Sequence, residues 1–211
     1  SKPYARIPFP DSYRIGDTYS MLVFDIKPDE FEYAFSFDGP YEPAKGLLFN
    51  EENVLLDPYS RAVTGQRKWG EKPEGGKDFE YRARVVKSSF DWGNIKQLEQ
   101  PFEDLVIYET HVRGYTKDKS SGVSAPGTFA GLKDKIPYLK DLGINAVELM
   151  PIFEFDEMES ARVVDGVQLY NYWGYNTVSF FAPNTSYAFN EEHNHEGDEL
   201  KSLIKALKEN G

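Results

Sequence analysis

The sequence predicts an α+β chain in two parts: an incomplete β-sandwich over residues 1–90, then strand–helix units of a parallel sheet over residues 105–211. Three observations lead there. Short apolar-aromatic runs broken by Gly/Pro turns fill the first part, without the three- and four-residue spacing of a helix. From residue 105 onward, continuous β-branched runs alternate with stretches that do have that spacing. Between the two parts, residues 91–104 are of mixed polarity and contain Pro101, the composition of a linker.

In the first part the strand candidates are "YSMLVFDI", "EFEYAFSF", "NVLLDPYS" and "FEYRARVV", separated by "KPDE", "FDGPYEPAKG" and "KPEGGK". Phe31, Tyr33, Phe35 and Phe37 alternate with Glu32, Ala34 and Ser36, a period of two that predicts one buried sheet face. Four or five strands fall short of the roughly seven of a full sandwich. In the second part "LVIYETHV" (105–112) and "NAVELMPI" (145–152) read as strands covered on both faces. The first is followed by a Gly/Ser/Pro loop, "RGYTKDKSSGVSAPG", and then by a helix capped by Thr128. The apolar side of that helix is Phe129, Leu132, Ile136, Leu139 and Leu142. Pro137 is expected to kink or restart it, and Gly143 to end it in a left-handed conformation. After a long loop, "EGDELKSLIKALKENG" predicts a second helix with Leu200, Leu203, Ile204 and Leu207 on one side. Strand, helix, strand, helix implies a right-handed crossover in a parallel sheet. With two such strands and Gly211 in a helix-ending position, the chain is expected to be a piece of a longer protein, cut at both ends.

Formal net charge is −11, from 35 Asp+Glu against 24 Lys+Arg, and the longest basic run is Arg67-Lys68. Such a surface repels phosphate backbones and anionic lipid, so neither nucleic acid nor membrane is an expected partner. The absence of cysteine excludes disulfides, thiolate metal sites and cysteine nucleophiles. No apolar run approaches the roughly 20 residues of a membrane helix. The start, "SKPYARIPFP", lacks the apolar stretch of a signal peptide, so a cytoplasmic protein is expected. Aromatic residues crowd in "YNYWGYN" (170–176), a stretch too polar for a core strand and too aromatic for an idle loop.

Four segments in order, "GPYEPAKGLLFNEENVLLDPYSRAV" (39–63), "VIYETHVRGYT" (106–116), "GTFAGLKDKIPYLKDLGINAVELMP" (127–151) and "NYWGYN" (171–176), carry a resemblance that covers nearly the whole chain. The sequence resembles bacterial glycogen debranching enzymes of the isoamylase/pullulanase type, in the α-amylase superfamily (glycoside hydrolase family 13). The resemblance implies that residues 1–90 are the later part of an immunoglobulin-like, glycogen-binding-type β-sandwich. It implies that residues 105–211 are the first two βα units of a catalytic (β/α)8 TIM barrel. Tyr115 departs from the pattern, standing where Phe is more usual. Branching enzymes more often read His-Leu-Gly-Ser-Trp, and trehalose-releasing relatives His-Val-Gly-Thr-Phe, where this chain has "HVRGYT" (111–116).

By the same resemblance, the reaction is hydrolysis of α-1,6 branch linkages in glycogen or limit dextrin by a retaining mechanism. Such enzymes hold a nucleophilic carboxylate and an acid/base carboxyl about 5–5.5 Å apart. The resemblance puts both on later barrel strands, so no catalytic residue is assigned here and the chain alone is expected to be inactive. The substrate-binding candidates are Tyr175, expected beneath the sugar ring at the cleavage point, with Trp173 and Tyr172 beside it as loop supports. Sugars pack their C–H faces on rings and bond through their hydroxyls, and Tyr serves both needs. The competing reading has these rings only packing the loop onto the sheet.

Other polar residues have plainer readings. Glu109, Glu148 and His111 suggest an acid/base cluster, but buried polar groups bonded to one another are the favoured reading. Arg113 is expected to brace loops. His193 and His195 imitate a metal site but fit the acidic start of a helix. No cofactor is expected; "FDEMESARVVDG" (155–166) offers oxygen ligands for calcium, against a solvated loop as the favoured alternative. The sequon Asn184-Thr185-Ser186 is given no weight, and Tyr41, Trp69 and Trp92 are assigned to core or seam. Two other functions remain open: a stand-alone α-glucan-binding module, and a piece of a glucan branching transferase. In every case the expected partner is an α-glucan, and the open sheet edge predicts self-association, visible by sedimentation.

Overall fold

The computed structural model describes residues 4–71 and 81–211. The turn expected at "KPEGGK" and the first residues of "FEYRARVV" lie outside them. Along the N-terminal part run β1 (Arg14–Ile15), β2 (Thr18–Tyr19), β3 (Glu32–Tyr33), β4 (Phe35–Glu42), β5 (Leu47–Leu55) and β6 (Ala83–Arg84). They form three antiparallel ribbons, β1–β2, β3–β6 and β4–β5. The alternation over residues 31–37 appears as a ladder of rings with neighbouring centroids 6.1, 5.7 and 6.2 Å apart. It is not a buried face: Phe37 is 50% exposed. The ribbons are separate two-stranded pairs, and Val63 adds an isolated bridge to Ala83 of β6.

Residues 57–70 bridge to β6 at Val63 and pack against the C-terminal part. Ala62 and Val63 are buried, Tyr59 stacks on Phe181, and the Gln66 amide donates to Asp156 Oδ1 at 2.6 Å.

In that second part β7 (Ile107–Thr110) connects to β8 (Ala146–Leu149) through α1 (Val112–Thr116), α2 (Phe129–Lys133) and α3 (Ile136–Asp141). β7 and β8 pair in parallel, Ile107 opposite Ala146 and Thr110 opposite Leu149, as the strand–helix–strand order requires. The start of the expected loop is instead α1, because the His111 side chain caps it: Nδ1 accepts the Gly114 N–H at 3.0 Å. Thr128 Oγ1 accepts the Gly131 N–H at 3.1 Å, a cap worth about 1 kcal/mol. The helix breaks after Lys133 and restarts with Pro137 in the first turn of α3, where its missing N–H leaves no helical bond unmade. Phe129, Leu132, Ile136 and Leu139 are buried, whereas Leu142, past the last turn of α3, is 49% exposed. Gly143 follows at φ 87°.

The strands are not covered on both faces. Val106 and Ile107 are half exposed because the sheet they belong to has two strands. Beyond β8, β9 (Phe153–Phe155) pairs antiparallel with β12 (Thr177–Pro183). Between them projects the hairpin of β10 (Arg162–Val164) and β11 (Val167–Leu169). Finally α4 (Glu196–Glu209) buries Leu203 in a core shared with Val112, Phe129, Leu132, Phe155 and Tyr187. The segment read as a linker lies along this helix: Lys201, Lys205 and Lys208 donate to Ser88 Oγ, Asp91 O and Gln97 Oε1. No helix among the described residues is long and apolar enough to cross a membrane.

Candidate functional site

The aromatic loop is fixed to the C-terminal end of β7 by His111. Because Nδ1 already accepts from Gly114, the ring proton sits on Nε2 and is donated to the Tyr172 carbonyl oxygen at 2.8 Å. Burial, with the Arg113 charge acting in the same direction, lowers the His111 pKa and keeps the ring neutral. The Tyr172 ring stacks on the imidazole with centroids 4.2 Å apart. Trp69 arrives from the N-terminal part to complete the cluster. It lies parallel to Tyr187 and edge-on to His111, Phe155 and Tyr172, and the Arg113 guanidinium sits 4.6 Å from its ring centre. The seam position expected for Trp69 and the bracing role expected for Arg113 match these contacts.

Gly174 holds the centre of the loop at φ 77°, where an added Cβ would lie 2.5 Å from two ring carbons of Phe155. The backbone crosses that ring at a distance no side chain permits. The three nominated rings therefore part ways. Tyr172 packs inward on His111, and Trp173 meets Tyr172 edge-on at 5.5 Å and is 56% exposed. Tyr175 projects outward, 69% exposed.

Two anchors of this loop went unread in the sequence. Asn176 Nδ2 donates to both carboxylate oxygens of Glu159, at 2.6 and 2.8 Å, and Asn171 Nδ2 donates to the Asp156 carbonyl oxygen at 3.2 Å. The asparagines between the rings were the available signal. The β10–β11 hairpin was also missed, although Asp165-Gly166 between apolar residues marks a two-residue turn, and both adopt positive φ (51° and 80°). Between hairpin and loop lies a cleft of about 680 Å³, with Glu159 and Asn176 in its wall.

No protein-family model matches the chain. Chloroplastic isoamylase 1 of Arabidopsis thaliana is 38% identical to it over 96% of this chain and 27% of its own length. The glycogen debranching enzyme of Yersinia enterocolitica is 35% identical over 98% of this chain and 32% of its own. Among solved structures, pullulanase type I of Bacillus subtilis, complexed with maltose, aligns with a TM-score of 0.55 and 28% identity, covering 77% of this chain and 23% of that one. The homologues of this chain are isoamylases, glycogen debranching enzymes and pullulanases. The chain spans about a third or less of the length of each of these three relatives.

Four glutamates near the strand ends fall into two groups. Glu109 and Glu148 stand opposite each other on β7 and β8, but both are exposed and no hydrogen bond joins them among the described residues. The expected buried, mutually bonded cluster is not formed, because the two-stranded sheet leaves that surface open. Glu154 and Glu157 are instead fully buried. Glu154 accepts from the Thr185 N–H at 2.7 Å, and Glu157 Oε1 from Ser186 Oγ at 2.6 Å and Asn184 Nδ2 at 3.4 Å. Burial, reinforced by the charge of Glu157, pushes Glu154 well above the usual carboxylate range. Burial likewise lifts Glu157 from 4.5 to about 7, and its Oε2 has no hydrogen-bond partner among the described residues.

Among the described residues no three His, Asp or Glu side chains converge on a metal position, and the two buried acids are bonded to Thr185, Ser186 and Asn184. Asn184 of the sequon is wholly buried. His193 pairs with Arg67 and is held at about 4 by burial and by the Arg84 and Arg67 charges, while His195 meets Glu192 at 3.1 Å. The helix start is not fully solvated, since Glu196 is only 4% exposed.

The raised Glu157 pKa has a stability consequence. A folded pKa above the unfolded one stabilises fully below about pH 4.5, and that contribution is lost as pH rises through about 7. The shift corresponds to about 3 kcal/mol. Glu157→Gln keeps an oxygen for Ser186 and is expected to flatten the loss. Urea midpoints at about pH 5 and pH 8 measure it. An equal fall in both proteins would contradict the assignment.

Proposed function

We propose that this chain supplies part of the glucan-gripping cleft of an enzyme that hydrolyses α-1,6 branch linkages in glycogen or limit dextrin. In this reading residues 1–90 belong to a carbohydrate-binding-type sandwich, 91–104 link it, and 105–211 open a (β/α)8 barrel. The observation that carries the reading is the exposed Tyr175 ring beside Trp173, on a loop tied by His111 to the C-terminal end of β7. Barrel enzymes build their active sites at that end of the strands. The names of the relatives support the substrate class: debranching enzymes act on glycogen branches, and a group B Streptococcus pullulanase was solved with maltotetraose.

No residue of the chain is assigned to bond cleavage. The nucleophile that attacks the anomeric carbon and the acid that protonates the departing oxygen come from elsewhere in the protein, as the retaining mechanism requires. The chain alone therefore binds without hydrolysing, no cofactor enters the reaction, and the exposed Val106–Ile107 surface supports self-association of the isolated chain. The cytoplasm is the compartment assigned.

In the full-length protein, Tyr175→Ala is expected to weaken maltotetraose binding about tenfold, one aromatic contact's worth, while Tyr175→Phe keeps most of the affinity. Calorimetric titration measures both. An unchanged affinity in Tyr175→Ala would sink the reading. Release of reducing ends from glycogen without new branches separates hydrolysis from branch transfer.

A further inference from the structure

We propose that the cleft between α4 and residues 92–98 binds a small phosphate ester, its phosphate on Lys205 and Lys208 and its ring on Trp92. This cleft shares no residue with the aromatic loop or with the cleft beside that loop, so the proposal does not rest on the α-glucan reading. It measures about 400 Å³, within the roughly 300–1,000 Å³ of small-ligand sites. Lys96, Lys205 and Lys208 stand around it with one carboxylate, Glu209, and with Trp92 and Leu98 as apolar wall.

Charge singles the place out. The chain carries a net −11, yet none of the ion pairs among the described residues involves these three lysines. Lys201, one turn earlier on α4, is by contrast paired with Asp198 at 2.9 Å. Lys205 Nζ donates to the Asp91 carbonyl oxygen at 3.0 Å, and Lys208 Nζ to Gln97 Oε1 at 2.9 Å. Each bond uses one ammonium proton and fixes the nitrogen, which leaves the other protons for an anion. Gly93 stands close by at φ 61°, where an added Cβ would lie 3.4 Å from Lys205 Nζ. The Trp92 ring is held edge-on by Phe90 at 4.9 Å and is still 40% exposed. Three lysines against one glutamate leave a surplus of two positive charges. A phosphate monoester brings about two negative charges near neutral pH, and a sugar or base attached to it has a face to lay on the indole. A neutral glucan would use the ring and leave the ammonium groups unanswered. Hexose phosphates and nucleoside monophosphates share the required chemistry.

The test is calorimetric titration of the full-length protein with glucose 6-phosphate, AMP and inorganic phosphate. At least one ester should bind more tightly than inorganic phosphate, with an affinity that falls as salt is raised. The tighter ester identifies the source, and equal binding of both means that the site reads only phosphate and ring. Lys205→Gln/Lys208→Gln should lose about tenfold in ester affinity. Trp92→Ala should lose about tenfold for the ester and nothing for inorganic phosphate. Because the double variant also unties residues 91 and 97, Lys96→Gln is the cleaner probe, its side chain being unbonded among the described residues. It should weaken the ester about threefold at an unchanged thermal melt. Absence of ester binding at millimolar concentration, inorganic phosphate binding as tightly as both esters, or full affinity in Lys96→Gln would each overturn the proposal. None of these results touches the outcome at Tyr175.

Discussion

Gly174→Ala is expected to destabilise the protein by about 3 kcal/mol, the sum of a left-handed backbone cost and an overpacked ring contact. At φ 77° a methyl group would lie 2.5 Å from Phe155 Cδ1 and Cε1, and Phe155 is wholly buried. Neither partner can yield cheaply: the ring sits among Trp69, Tyr187 and the helices, and the backbone is pinned by His111 on one side and Asn176 on the other. Gly143→Ala is the natural control. It shares the positive φ, 87°, but an added Cβ there meets nothing within 4 Å, so only the backbone cost of about 1 kcal/mol remains. Denaturant midpoints at unchanged slope measure both. Equal losses at the two glycines would mean the loop does not lie against Phe155. Glucan affinity is expected to fall with Gly174→Ala as well, since Trp173 and Tyr175 flank the displaced backbone.

Trp69→Ala is expected to cost about 4 kcal/mol, the range for removing a large packed ring. Four aromatic partners and the Arg113 guanidinium meet on this one side chain. Its loss strips Arg113 of the ring face beneath its charge and takes from Tyr172 one of the surfaces that hold it. The effect should therefore reach the aromatic loop as well as the segment that carries residue 69. A urea melt gives the stability loss, and protease cleavage within residues 170–176 reports the loosened loop. Loss confined to the N-terminal ribbons, with the loop as resistant as before, would show that Trp69 is not the seam between the two parts. Trp69→Phe should recover part of the stability, because a smaller ring retains some of the edge contacts.

Local chemistry was read correctly wherever one or two residues decide the outcome. Thr128 caps, Pro137 restarts and Gly143 turns the chain because capping oxygens, a missing N–H and a missing Cβ act within a single turn. The parallel pairing of β7 and β8 followed from strand–helix–strand order, which leaves little choice of connection. The reading weakened where burial depends on what lies opposite. Phe31 to Phe37 alternate as a buried face would, yet Phe37 on the β4–β5 ribbon is half exposed. Glu109 and Glu148 were expected inside and lie outside, for want of a neighbouring strand.

By itself, then, the sequence determined the elements, their order and the loop where ring surface collects, since periodicity, caps and turn residues act over a few positions. It also carried the likeness to debranching enzymes, in segments spread along most of the chain. Only the tertiary structure decided which rings of that loop face outward. That outcome depends on contacts between residues more than sixty positions apart along the chain, such as His111 on the Tyr172 carbonyl and Trp69 against Tyr172 and Phe155. Spacing along a chain does not encode such meetings. They arise when Gly174 lets the backbone down onto Phe155, leaving Tyr175 no inward place to go.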